Sequence, residues 1–392
     1  MQILLGLVAV LAILGISYAL SERKDKINWK TIAGGLIGQV VLIFFVLKVP
    51  IGQKILSVIA NGFQAVINFG MEGVQFVFGD LSTSYFTFAI NVLALIVFTS
   101  TLIAVLYFFK IIPVFIKYVG GFIAKVMNVS KIDGIMGVSN SLLGGGEAPL
   151  TIKPFLPTIT KSELFVTMAT GFGSASVGIL GGYMALGIPA EPMLIGIFTV
   201  PFSCIMIAKM LIPETEKIEN KEIKITGEEY ENIFDAISAG SATGFKIACG
   251  VGASLIGFIG IIAILNGILG IFGLSLAQIL GYIFLPFTWL FNIPAGDLST
   301  ASAIFGTKLG VNEFVAFSNM SQAMSTLSPR TITLLAVGCV NFSNFSVIGI
   351  VCGSLITLIP ERRKEITSLG FKALITGTLS TLLTTALVAI IL

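Results

Sequence analysis

Two glutamates lie in apolar stretches of the chain where a charged side chain is unusual. Glu147 follows a run of three glycines, and Glu313 follows an asparagine. A carboxylate at membrane depth costs about 3 kcal/mol or more on insertion scales, and such residues commonly mark binding sites. An ionised carboxylate accepts two or more hydrogen bonds, so each glutamate suits a ligand with hydroxyl groups, such as a sugar. The alternative is a buried ion pair with a lysine such as Lys308 or Lys153.

Each glutamate is followed by a long apolar span that small polar residues interrupt. These interruptions are Gly171–Ser176 and Asn341–Ser346. In the second one, Asn344 and Ser346 offer amide and hydroxyl groups beside Phe342, whose aromatic face suits a flat heterocycle. The pattern predicts a binding site at these breaks. The alternative is that the polar side chains only form hydrogen bonds between helices.

A second set of polar residues could bind a small cation. Asn140, Ser174 and Ser176 offer uncharged oxygen atoms, and backbone carbonyls of interrupted helices could complete the shell. The glycines of Gly144–Gly146 form the turn of a hairpin and allow the backbone to approach a ligand closely.

The composition places these residues in a membrane protein. The 392 residues are 55% hydrophobic and only 11% charged, with a mean hydropathy of +1.00, whereas soluble domains have about 25% charged residues. There is no histidine, and no two cysteines form a CxxC pair. Histidine-based catalysis and the usual zinc sites are therefore excluded, so we expect no enzyme. The basic residues lie mostly in loops, which indicates topology and gives no sign of nucleic-acid binding.

Hydropathy predicts about eight transmembrane helices. The predicted spans are 1–20, 31–48, 86–112, 162–185, 190–212, 244–273, 334–359 and 369–392. Residues 52–79 are amphipathic, and the sequence leaves open whether they span the membrane. A basic cluster follows the first span, which favours a retained helix with an external N-terminus over a cleaved signal peptide.

The distribution of lysine and arginine predicts two re-entrant hairpins. Basic residues alternate between the two sides only if 132–157 enters and leaves on the inner side and 296–325 on the outer side. Both termini are then outside. Residues 86–212 and 244–392 therefore follow one plan in opposite orientations, an inverted repeat that places a substrate site near the midplane. They are preceded by N-terminal helices in 1–85 and separated by a cytoplasmic loop in 213–243.

The motifs together resemble the concentrative nucleoside transporter family, in a bacterial form, along nearly the whole chain. They are Gly144–Leu150 (GGGEAPL), Pro154–Leu156, Ser162–Leu164, Pro213–Glu216, Gly306–Ala316 (GTKLGVNEFVA), Leu327–Arg330 (LSPR), Asn344–Ser346 and Ile348–Gly349. The resemblance implies a homotrimer in which each protomer moves its transport domain against a scaffold, in elevator fashion. The implied fold is all-α, with interfacial helices beside the spans and hairpins.

The resemblance also implies roles for individual residues. Gly145, Gly146 and Glu147 would face the nucleobase, while Glu313 and Asn344 would hold the ribose. Phe342, Ser346 and Ile179 complete the predicted substrate site. The family's sodium site maps onto Asn140 and Ser174, to which we add Leu143.

Two departures from the family pattern bear on selectivity. The family commonly has Gln and Thr where this chain has Gly145 and Gly146, which predicts a larger pocket and a preference for purine nucleosides. Val347 replaces a serine near the ribose, so one hydroxyl contact of about 1 kcal/mol is lost.

The predicted function is import of nucleosides across the cytoplasmic membrane by a multi-pass symporter coupled to Na+ or H+, without a further cofactor. The alternatives are a broad or pyrimidine-selective symporter and a passive facilitator. The expected partners are the nucleoside, the lipid bilayer and two further copies of the chain, with no nucleic acid.

Overall fold

The computed structural model of the protein describes residues 2–84, 86–216, 225 and 230–392. Within these residues the fold is all-helical, without a β-strand. The α-helices, in chain order, are α1 (Gln2–Ala19), α2 (Trp29–Lys48), α3 (Pro50–Phe78), α4 (Leu81–Ser84), α5 (Ala94–Phe108), α6 (Ile111–Met127), α7 (Lys131–Leu143), α8 (Lys161–Gly173), α9 (Leu180–Ala185), α10 (Ala190–Leu211), α11 (Ile233–Gly270), α12 (Leu276–Leu290), α13 (Leu298–Gly310), α14 (Glu313–Ala323), α15 (Pro329–Cys339), α16 (Ser346–Leu358) and α17 (Arg363–Ile391).

The helices account for the predicted membrane spans. Seven helical stretches among the described residues are long and apolar enough to cross a bilayer. The predicted span 334–359 is instead formed by α15 and α16, which are separated at 340–345. The chain is thus a multi-pass membrane protein with about eight crossings.

One predicted boundary differs from the structure. The span expected to begin at 244 is α11, which begins at Ile233. Asn232 caps this helix, because its side chain accepts hydrogen bonds from the backbone N–H groups of Phe234 and Asp235. The helix therefore extends beyond the apolar segment that hydropathy detects. Residues 217–224 and 226–229 of the expected cytoplasmic loop 213–243 lie outside the described residues.

The two segments predicted as hairpins are largely helical in the structure. The first consists of α7 followed by 3₁₀ turns at Ala148–Ile152 and Leu156–Thr158, and the second consists of α13 and α14. Ser130 and Asp133 form a capping box that starts α7. Such caps satisfy the free N–H groups at a helix start, which cannot reach water inside a membrane.

The helices after each hairpin pack against one another across the centre of the fold. α10 packs on both α8 and α15, and α17 packs on the same two helices. Apart from this bundle, α5 lies along α11, with their backbones close together at Gly240 and Gly244. The broken helices α8 and α15 are therefore enclosed by α10 and α17, which buries the breaks.

The amphipathic segment 52–79 forms part of the 29-residue helix α3. Its buried face packs against α2 and α5, and large apolar side chains such as Phe69 and Phe76 are exposed on the rest of its surface. Exposed apolar side chains on one helix suit contact with lipid or another copy of the chain.

Candidate functional site

The first hairpin changes direction at Gly144, where the backbone conformation favours glycine. α7 ends at Leu143, and Gly144 has a φ of 91°, a value that side chains with a Cβ rarely adopt. Glu147 follows at the start of the 3₁₀ turn. The turn therefore places the predicted base-binding residues directly after the end of α7.

The two glycines that replace the family's Gln and Thr have different surroundings. A Cβ on Gly145 would lie 2.9 Å from both Cα and O of Gly171 and from Val351. A Cβ on Gly146 would meet only Ile350, at 3.6 Å. The expected extra pocket space at Gly145 is thus absent in this structure, because the α8 backbone already fills it. Gly146 does leave room for a ligand.

The breaks in the two interrupted helices contact each other directly. The backbone N–H of Phe342 donates to the carbonyl of Ser174 at 3.0 Å. The Ser343 hydroxyl oxygen lies 3.2 Å from the carbonyl oxygen of Phe172, within hydrogen-bond distance. Phe342 also lies beside the first hairpin, since a Cβ on Gly144 would be 3.4 Å from its ring. These contacts bring residues of three elements together at one place.

Glu313 begins the second helix of the second hairpin and faces the second break. Asn344 donates from Nδ2 to Glu313 Oε2 at 2.9 Å, and the Tyr183 hydroxyl donates to Oε1 at 3.2 Å. Ser346 in turn donates to Asn344 Oδ1. Because Glu313 is only 5% exposed and Asn344 is fully buried, these polar groups form a compact network at the break.

A cavity lies between the first hairpin and helices α5 and α11. Its wall includes Glu147, Leu143 and Ile179, together with Tyr107 of α5 and Thr243 of α11. Glu147 and Glu313 thus belong to different parts of the site: Glu147 lines this cavity, and Glu313 lies in the network around the second break.

Two buried oxygens near the first break have no hydrogen-bond partner among the described residues. They are Oδ1 of Asn140 and Oγ of Ser174. Asn140 Nδ2 donates to Thr170 Oγ1 at 2.8 Å, and this bond orients the amide with its oxygen free. An unpaired buried oxygen is costly, and two of them fit the uncharged oxygen ligands that a small cation prefers.

The structure argues against the alternative in which Glu313 forms an ion pair with a lysine. Lys153 is exposed, and the buried Lys308 donates to Asn341 Oδ1. The Glu313 carboxylate accepts hydrogen bonds from Asn344 and Tyr183. The site therefore keeps a carboxylate whose partners are neutral donors.

Comparisons with known proteins identify the family. The family model described as the Na+ dependent nucleoside transporter C-terminus matches residues 193–389, and its N-terminal counterpart matches residues 8–81. The chain belongs to the Na+-dependent nucleoside transporter family. It is therefore a transporter and not an enzyme, as the sequence predicted.

Relatives match this transporter over almost its whole length. It is 38% identical to the uncharacterized transporter YutK of Bacillus subtilis, across 99% of each chain. It is 33% identical to the nucleoside permease NupC of Helicobacter pylori, across 96% of this chain and 95% of that one. The resemblance to concentrative nucleoside transporters is confirmed.

Solved structures confirm the fold of this nucleoside transporter. CNTnw in an inward-facing substrate-bound state aligns with a TM-score of 0.95 at 34% identity, covering 100% of this chain and 99% of that chain. A CNTnw double variant in an outward-facing state aligns with a TM-score of 0.94 at 33% identity, covering 100% and 98%. The all-helical membrane fold predicted from the sequence is thus shown.

Sequence reasoning missed one member of the transporter's polar network. Tyr183 is fully buried, and its ring packs on Phe314 and Phe317 at centroid distances of 4.8 and 4.9 Å. This packing aims its hydroxyl at Glu313. A tyrosine among glycines in an otherwise apolar segment was the only signal, and it does not identify a partner so distant in the chain.

Proposed function

We propose that this transporter is a cation-coupled symporter that imports nucleosides across the cytoplasmic membrane. The observation on which the proposal rests is the buried Glu313–Asn344 pair at the second break, next to a first hairpin that presents Glu147 to a cavity. Carboxylate and amide groups in a protected site provide directional hydrogen bonds for a polar ligand. A nucleoside needs both sugar and base contacts, and the two groups supply them.

The two parts of the site bind different parts of the nucleoside. Glu313 and Asn344 hold the ribose hydroxyls, with Ser346 orienting Asn344 through its hydrogen bond. Glu147 accepts from the base, and the backbone at Gly145 and Gly146 approaches it. Phe342 supplies an aromatic face and Ile179 an apolar wall for the base.

A preference for purine nucleosides is supported by the first hairpin. Neither Gly145 nor Gly146 offers a side-chain amide that could read a pyrimidine edge, and the room beside Ile350 at Gly146 favours a larger base. Selectivity of this kind depends on hydrogen bonds that one substrate makes and the other does not.

The coupling cation binds at the first break. Oδ1 of Asn140 and Oγ of Ser174 provide two neutral oxygens, with Leu143 close by on α7. Neutral oxygens suit Na+, which they coordinate through their lone pairs. They do not suit H+, which needs a titratable group to bind it. The cation site and the substrate site both lie where the two breaks contact each other. Each ligand therefore raises the affinity for the other.

The elevator mechanism and the trimer extend this proposal. The segments 86–212 and 244–392 form the inverted repeats, with α5 and α11 as scaffold helices and both termini outside. Only 12% of the most apolar part of α11 is buried within one chain, so this helix has a large surface for lipid and for a second and third protomer. Native mass spectrometry in detergent should show three copies, and a monomer would contradict this part.

The function is tested by uptake into proteoliposomes. Radiolabelled inosine and uridine are offered under a sodium gradient and then under a proton gradient, with Glu313→Gln as the inactive control. Symport predicts accumulation of inosine above the external concentration under the sodium gradient, with less uridine. Equilibration without accumulation under either gradient would leave a passive facilitator, and faster uridine uptake would overturn the purine preference.

A further inference from the structure

Lys308 is a buried lysine that the proposed transport cycle does not use. It lies near the end of α13, the first helix of the second hairpin, and is 3% exposed. A lysine at this depth in a membrane protein is costly, and such residues are rare without a role. Its surroundings therefore call for an explanation.

The Lys308 ammonium lies at the second break and contacts oxygen atoms there. It donates to Asn341 Oδ1, which also accepts from the Ser343 hydroxyl at 2.7 Å and the Ser343 N–H at 3.2 Å. Asn341 Nδ2 donates to Thr381 Oγ1 on α17. The ammonium thus connects the hairpin, the break and α17, as a bound metal cation would.

The corresponding place in the first repeat is the cation site proposed above. The order of elements is the same in both repeats, because α7 and α13 begin the hairpins and α8 and α15 lead to the breaks. Asn140 lies near the end of α7, as Lys308 lies near the end of α13. Ser174 directly follows α8, and Asn341 closely follows α15. One repeat therefore presents free oxygens where the other presents an ammonium.

We propose that the Lys308 ammonium is the built-in cation of the second repeat. It occupies the place that corresponds to the Asn140–Ser174 site and keeps the second break folded, so a single free cation suffices for each transport cycle. This inference rests on the proposed cation site in the first repeat. It makes Lys308 a positioning residue that sets the number of coupling ions.

The test measures how sodium stabilises the purified full-length transporter against heat. Sodium chloride is titrated against choline chloride at constant ionic strength. The variants are Asn140→Ala, Lys308→Ala, the double variant, and Lys308→Arg as the charge-conserving control. Asn140→Ala removes a ligand of the first cation site, so it should lose the sodium response. Removing the Lys308 ammonium should create a sodium site lined by Asn341 and Ser343, so the double variant should regain a sodium response.

Uptake provides a second readout. The sodium dependence of inosine uptake should have a Hill coefficient of about 1 in the wild type and Lys308→Arg, rising towards about 2 in Lys308→Ala. An unchanged coefficient, together with no sodium response in the double variant, would overturn the inference. So would failure of both Lys308→Ala and Lys308→Arg to fold at any sodium concentration.

The outcomes also separate this inference from the proposed function. A wild type without any sodium response would contradict the sodium site at Asn140. A wild type whose sodium response depends on Asn140, combined with Lys308→Ala behaving identically, would contradict only the role of Lys308.

Discussion

Asn344 Nδ2 donates a 2.9 Å hydrogen bond to Glu313 Oε2, and this bond joins the second hairpin to the second helix break. The two residues are distant in the chain, and both are buried. A carboxylate that is held by neutral donors keeps acceptor capacity for a ligand. This pair is therefore the most direct target for mutation.

Replacing Glu313 with glutamine should weaken nucleoside binding severely. Glutamine can accept from Asn344 but loses the charge and one acceptor for ribose hydroxyls. Hydrogen bonds to charged groups contribute about 1.5–3 kcal/mol, so affinity should fall roughly 10- to 150-fold. Isothermal titration of inosine into the purified protein measures the change.

Tyr183→Phe is the matched control for this substitution. It keeps the ring packing on Phe314 and Phe317 and removes only the hydroxyl that donates to Glu313. The expected loss is about 1 kcal/mol, or roughly fivefold in affinity. Wild-type affinity in Glu313→Gln would show that the ribose is held elsewhere.

The neighbouring glycines of the first hairpin should differ in their tolerance of a methyl group. Gly145→Ala places a Cβ 2.9 Å from the Gly171 backbone, whereas Gly146→Ala makes an ordinary 3.6 Å contact with Ile350. Overpacking costs about 1–3 kcal/mol, and an unstrained change stays within about 0.5 kcal/mol. The melting temperature should fall in Gly145→Ala only. Equal behaviour of the two would show that the hairpin moves away from α8 easily.

The breaks in the helices were predictable because their signals are local in the sequence. Glycine and proline interrupt apolar runs, and lysine and arginine mark the sides of the membrane. The motif Leu327–Arg330 is also explained locally, since Ser328 caps α15 and Pro329 takes its first position.

Contacts between distant elements were not predictable in this way. The hydrogen bond between Tyr183 and Glu313, and the one between Phe342 and Ser174, depend on how helices far apart in the chain are placed. The steric conflict at Gly145 has the same origin, because only the packed structure shows that Gly171 is its neighbour. Residue types indicate that a site exists, and packing decides which atoms meet.

Ser174→Ala should abolish sodium stabilisation without destabilising the cation-free protein. The Ser174 hydroxyl has no hydrogen-bond partner among the described residues. Its removal therefore eliminates the free-energy cost of burying an unsatisfied polar group. The melting temperature in choline chloride should stay equal or rise, and its increase on adding sodium chloride should disappear.

Ser343→Ala is the control for that experiment. Its hydroxyl lies within hydrogen-bond distance of Asn341 Oδ1 and the Phe172 carbonyl and can donate to one of them, so removing it should cost about 1–3 kcal/mol with or without sodium. An undiminished sodium response in Ser174→Ala would exclude this serine as a ligand.

A charged junction outside the membrane should make stability depend on pH. Glu22, in the loop after α1, accepts from Lys161 and Lys372, both at 2.8 Å. Partial burial raises the pKa of Glu22, but the hydrogen bonds and charges of the two lysines outweigh it, so its pKa lies below the ordinary 4.5. The stabilisation is therefore complete above about pH 4.5 and is lost as the pH falls through the lowered pKa.

Glu22→Gln should remove this stabilisation at neutral pH. Because Glu22 is partly exposed, the loss should be about 1 kcal/mol or less. The melting temperatures of wild type and variant, followed from about pH 7 to about pH 3.5, should converge at the acidic end. Asp25→Asn breaks a pair with Arg23 that joins no other element, so it should follow the wild-type curve. Parallel curves for Glu22→Gln and wild type at all pH values would show that the junction contributes no charge-dependent stability.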